Sequence, residues 1–151
     1  MLMTSHNYRL IKEFGHRGTG NGEFNYPTMI DFSKDRLLVS DTLNFRIQTL
    51  NEQGDFISKF GQISTGTGHQ SRSKGIASDY NQNIYFVDGL FHAVQIFDQA
   101  VRFLLNFGEQ GQQPGQFWLP VGIFIDQQQT IYVTDTYNQR IQMFRFLGAK
   151  L

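Results

Sequence analysis

The chain has 151 residues, 13 basic and 13 acidic side chains and so no net charge, no cysteine, three prolines, and 15 each of glycine and phenylalanine. That length suits one domain with a sizeable core, the charge balance argues against a protein held on nucleic acid or anionic lipid by bulk electrostatics, and the lack of cysteine excludes disulfide scaffolds, zinc knuckles and thiol nucleophiles. No apolar run approaches the ~20 residues of a membrane-spanning helix, and the opening MLMTSHNYRLIKEF lacks the order and cleavage site of a secretion signal, so a soluble, cytoplasmic protein is expected.

In chain order, the first predicted element is a short strand at 10–14, closed by Phe14-Gly15. A glycine-rich loop follows (GTGNG, 18–22); it lacks the lysine and the following helix of a phosphate-binding loop. Strands are then predicted at 29–32, 37–40, 46–50 and 56–60, the last ended by Phe60-Gly61. The same series returns at 75–78, 84–87, 93–97 and 103–107, ended by Phe107-Gly108, and again at 122–125, 131–134 and 140–144. Each run either alternates apolar with polar residues or is β-rich between turn signals. The links SKDR, DYNQN and DQQQT read as polar hairpin loops. No stretch of helical length keeps an apolar stripe free of glycine.

These elements form a repeat. LLVSD, IYFVD and IYVTD place Asp41, Asp88 and Asp135 at intervals of 47 residues. The segments that follow, DTLNFRIQTL, DGLFHAVQIF and DTYNQRIQMF, align without gaps. A four-stranded antiparallel unit of this length fits a β-propeller blade. The pattern G-x-F-x-x-P, G-I-x-x-D, I-Y-V-x-D-T-x-N-x-R-I-Q-x-F, then F-G, resembles the NHL repeat. Residues 115–144 follow it almost throughout. The first unit follows it from 22 to 50, with Met29 in place of a glycine and Ser33 in place of an Asp. The middle unit departs from it at Gly89, Phe91 and Ala93. The expected fold is therefore all-β, a β-propeller of NHL-like four-stranded antiparallel blades. One domain spans 1–151, with a latch strand at 8–15 and blades at about 24–61, 71–108 and 117–151, the third without its last strand.

The strand order is thus d, abcd, abcd, abc, a circular shift that leaves the leading d strand free to complete a last blade. Three blades cannot close a ring, because propellers have ~4–8, and the resemblance implies six. An open half-ring exposes apolar flanks and an unpaired edge. Two resolutions present themselves: a homodimer in which each 10–14 strand completes the partner's third blade, or a longer chain that carries the other blades. The fit of the leftover strand favours the dimer, whose molar mass would be twice the 17.4 kDa of the chain.

Candidate functional residues fall into three groups. Asp41, Asp88 and Asp135, with Asn44 and Asn138, sit where strand b turns into c. There Asp and Asn fold back onto backbone N–H groups, and Arg46 and Arg140 are placed to pair with a carboxylate or carbonyl. A ring of metal ligands is the alternative reading. Asp31, on the innermost strand, is a channel candidate. The d–a loops and b–c turns emerge on one face, which brings together Arg17, Tyr26, Leu43, Phe45, Arg72, Lys74, Leu90, Phe91, His92, Trp118, Tyr137 and Gln139. Positions 43, 90 and 137 hold Leu, Leu and Tyr, and positions 45, 92 and 139 hold Phe, His and Gln. Constant turns with variable outward residues suit a specificity surface, and aromatics with arginine are enriched in binding hot spots.

The expected function is a non-catalytic interaction or scaffold module that binds a protein or peptide through this face, with no cofactor and no metal. Single-stranded RNA binding through Arg17, Arg72, Lys74 and the aromatics is a second class. The resemblance also admits a third, a metal-dependent lyase or lactonase-like enzyme with histidines around the channel. The four histidines, His6, His16, His69 and His92, share no short ligand spacing.

Overall fold

The computed structural model describes residues 9–61 and 73–148, apart from the side chains of Ser73 and Lys74. The first sheet holds β1 (Pro27–Ser33), β2 (Arg36–Asp41), β3 (Arg46–Asn51) and β4 (Phe56–Phe60). The second holds β5 (Ser73–Ser78), β6 (Ile84–Asp88), β7 (Ala93–Phe97) and β8 (Phe103–Phe107), and the third β9 (Pro120–Ile125), β10 (Thr130–Asp135) and β11 (Arg140–Arg145). Every sheet is antiparallel and runs in sequence order. The three sheets are propeller blades. Among the described residues the helical geometry is a single 3-10 turn at Thr42–Asn44, and no helix is long and apolar enough to cross a membrane.

Local chemistry sets the turns. Ser33 pairs with Arg36 across Lys34-Asp35, both at positive φ, the mirror-image turn whose twist matches that of the strands. In the other two blades an Asp organises the same corner. Asp79 Oδ1 accepts the Asn83 N–H at 2.9 Å, and Asp126 Oδ1 accepts the Thr130 N–H at 2.8 Å. Their second oxygens accept the hydroxyls of Tyr85 and Tyr132. The first blade has Ser33 and Leu38 at the matching positions, so the Asp and its Tyr are lost together.

The core lies between blades. One face of β6 and β7, with Tyr85, Val87, Val94 and Ile96, packs on Phe117, Ile131 and Val133 of the third unit. Leu38 and Ile47 of the first blade pack in the same manner on Ile76 and Ile84 of the second. Each blade therefore presents a front face to the back face of the next. The innermost strands approach closely: a Cβ on Gly75 of β5 would stand 2.8 Å from the Val121 carbonyl oxygen and 2.9 Å from the Ile123 nitrogen of β9.

Among the described residues, 9–16 are not paired in any sheet, and the 10–14 segment is extended with Leu10 and Ile11 exposed. The segment is nonetheless held beside the first blade. The Lys12 ammonium donates to the Gln53 carbonyl, Phe14 lies over Gly54, and Arg17 forms a parallel bridge with Phe24.

Candidate functional site

The loop face is built on two nearly identical clusters. In the first blade Asp41 Oδ1 accepts the Asn25 N–H at 2.6 Å, and Oδ2 accepts Asn44 and Arg46, each at 2.8 Å. The guanidinium of Arg46 also donates to the carbonyls of Thr19, Gly20 and Glu23 at 2.7–2.8 Å. In the third blade Asp135 holds the Trp118 N–H, Asn138 and Arg140, and Arg140 grips the carbonyls of Gln112, Gln113 and Gln116. Burial pushes the Asp135 carboxyl up, but hydrogen bonds from the Trp118 N–H, Asn138 and Arg140 outweigh it and hold the group below the usual carboxylate range. Each cluster ties a b–c turn to the preceding loop. Asn44 reaches the Gly18 carbonyl and Asn138 the Gly111 carbonyl, both at 2.8 Å.

Glutamine completes both clusters, a role that sequence reading missed. Gln48 donates to the Glu23 carbonyl and to Asp41, and accepts the Gly22 N–H at 3.0 Å. Gln142 does the same with Gln116, Asp135 and Gly115. The signal was present, because Gln recurs two residues after the repeated Arg. In the middle blade Gln95 still bonds Asp88 at 3.1 Å. Ala93 supplies no guanidinium there, and Asp88 accepts the N–H groups of Leu90 and Phe91 from its own turn.

The structure sorts the outward residues. Tyr26, Leu43, Leu90, Phe91, Trp118 and Tyr137 are exposed. The Trp118 and Tyr137 rings lie 6.3 Å apart and tilted, joined below by the Tyr137 N–H to the Trp118 carbonyl. Arg17 and Gln139 are also exposed. Phe45 is half-buried. His92 is not displayed in the way the sequence suggested: it is half-buried, and its Nδ1 accepts the Leu119 N–H at 3.0 Å, which ties the second blade to the loop of the third. Phe45, His92 and Gln139 all adopt left-handed backbone geometry, with φ of 52°, 53° and 52°. Arg72 lies outside the described residues, and Lys74 is placed on β5 by its backbone alone. Asp31, the channel candidate, accepts the Ser78 hydroxyl of β5 and so bridges two inner strands.

Among the described residues no group of three His, Asp or Glu side chains is arranged to hold a metal ion. His16 faces Glu23 at 3.2 Å.

Residues 117–144 match the model of the NHL repeat. No curated protein gives a significant sequence match. Solved structures do resemble the chain. Virginiamycin B lyase from Staphylococcus aureus has a TM-score of 0.54 and 19% identity over 82% of this chain and 42% of its own. A streptogramin B lyase reaches 0.57 at 15% identity, covering 91% of this chain and 45% of its own. A gluconolactonase from Xanthomonas campestris reaches 0.56 at 18% identity, covering 80% and 38%. At these identities the likeness is one of fold, and the chain spans less than half the length of each of these propellers.

Proposed function

We propose that this chain, three propeller blades with an NHL repeat at 117–144, is a non-catalytic interaction module that binds a protein or peptide through its loop rim. The observation that carries this reading is a division of labour within each turn. Asp41 and Asp135 use both carboxylate oxygens on donors from their own blade, so these groups serve as scaffold. The neighbouring outward positions carry exposed Tyr26, Leu43, Leu90, Phe91, Trp118 and Tyr137. Rigid aromatic side chains on a fixed backbone give contact area at low entropic cost. The left-handed sites at 45, 92 and 139 point the same way. Gly or Asn fits that geometry with least strain, yet the chain places Phe, His and Gln there. His92 is accounted for by its bond to Leu119.

The test is to pan a random peptide-display library on the immobilised protein. Enriched peptides should bind the wild type and lose at least tenfold in affinity on a Phe91→Ala, Tyr137→Ala double variant, whose substituted side chains are exposed. Peptides that bind the variant unchanged would overturn the reading. Tight homopolymer RNA binding that falls steeply with salt, or stoichiometric zinc or calcium in the purified protein, would overturn it in favour of the RNA-binding or metal-enzyme class.

A further inference from the structure

The blades show how one front face meets the next back face, and the chain leaves part of one front face and part of one back face exposed. On the front of the third blade Ile141, Met143 and Phe124 are 66%, 64% and 63% exposed. The equivalent residues of the second blade, Val94, Ile96 and Ala77, are 0%, 4% and 3% exposed, and Val94 and Ile96 pack in one cluster with Phe117, Ile131 and Val133 of the third unit. On the back of the first blade Ile30 is 69% exposed, whereas its equivalent Ile76 is 4% exposed against the first blade. The chain thus carries both halves of an interface that it already makes twice internally.

The N-terminal segment is seated on this open back face as a neighbouring blade's outer strand would be. A Cβ on Gly15 would strike the Phe24 ring at 2.6 Å, just as one on Gly108 would strike the Phe117 ring at 2.4 Å. The Phe24 N–H bonds the His16 carbonyl at 2.9 Å, and the Phe117 N–H bonds the Glu109 carbonyl at 2.8 Å. Arg17 bridges Phe24 as Gln110 bridges Phe117. Residues 10–17 therefore stand to the first blade as 103–110, the outer strand β8 and its exit, stand to the third. They lack only an inner strand to pair with.

Among the described residues β11 pairs on one side only, with β10. A groove of about 320 Å³ lies beside it, lined by Leu105, Phe107, Phe144, Phe146 and Leu147 among others. In the second blade Phe103 of the outer strand packs edge-on against Phe97, the equivalent of Phe144, with ring centroids 5.8 Å apart.

We infer that the open front of the third blade and its β11 edge are occupied by a second copy of this chain, whose 10–14 segment pairs with β11 as the fourth strand while its first blade covers Ile141, Met143 and Phe124. The exchange is reciprocal, so two copies close one ring of six blades. The register of β7 with β8, transferred along the repeat, pairs Ile141 with Phe14, Gln142 with Glu13, Met143 with Lys12 and Phe144 with Leu10. Leu10 then enters the groove beside Phe144. This inference does not rest on the rim-binding reading.

Light scattering on the purified chain tests it. The expected mass is about twice 17.4 kDa. Met143→Asp changes a side chain exposed in the isolated chain and should halve that mass while the β-type circular dichroism is retained. The chain has no native cysteine, so a Lys12→Cys, Met143→Cys double variant should form an inter-chain disulfide under mild oxidation and run at twice the mass on a non-reducing gel. Cross-strand neighbours stand within disulfide reach. A monomer at tens of micromolar, a trimer or open polymer, or a dimer that survives Met143→Asp and does not cross-link would each overturn the proposal.

Discussion

Arg46 and Arg140 make the same set of bonds from different depths. The Arg46 side chain is 8% exposed and that of Arg140 28%, while the partner Asp is fully buried in both blades. Removing one member of a buried ion pair leaves the other charge without compensation and typically costs ~3–5 kcal/mol, and a pair that water reaches costs less. Arg46→Ala should therefore destabilise the chain by about 3 kcal/mol or more, and Arg140→Ala by clearly less, as read from urea midpoints at unchanged slope. Tyr85 makes a second prediction. Burial, reinforced by the neighbouring Asp79, pushes its phenol up to about 12. A raised acid favours the neutral form in the fold, so its contribution is complete below pH ~10 and is lost as the pH rises towards 12. Thermal stability should fall across that window, and Tyr85→Phe should remove that component of the fall. The Asp, Asn and Arg of each turn were legible because they recur with the repeat. Gln48 recurs in the same way, but its partners and the bond of His92 to Leu119 were not legible, since both depend on a carbonyl or N–H presented by a distant loop.

Strands were legible for a different reason. A two-residue period between turn signals specifies both the element and the face it buries, and the bounds of the eleven paired strands fall within two residues of the positions read from sequence. The shift in register near the start of β1, between Pro27 and Met29, was not visible, because it is set by pairing with β2 rather than by any local residue. Gly75 provides the prediction at this scale. Its α-carbon lies so near the β9 backbone that a methyl group must displace main chain rather than a yielding side-chain tip. Overpacking of this kind costs ~1–3 kcal/mol. Gly75→Ala should lower the urea midpoint accordingly, whereas Gly122→Ala, whose nearest neighbour is the Thr134 hydroxyl, should cost less.

For the molecule as a whole, the repeat period gave the architecture before any coordinates, because three markers spaced 46–47 residues apart leave little freedom in how the sheets succeed one another. What the period cannot encode is which side chains on a blade find cover, since that is decided by a neighbour and not by the blade itself. The rim was legible only as a set of positions. Its chemistry became readable once the bonds of each Asp had been followed and the side chains left over could be seen. The seat of Phe14-Gly15 on the first blade carries an engineering consequence. Since the segment already lies where an outer strand belongs, two coding units joined end to end through a flexible spacer would let that stretch of the second unit follow β11 within a single polypeptide. In the two-copy ring proposed above, only one seam would then be sealed by non-consecutive parts of the chain, and its assembly would no longer depend on dilution.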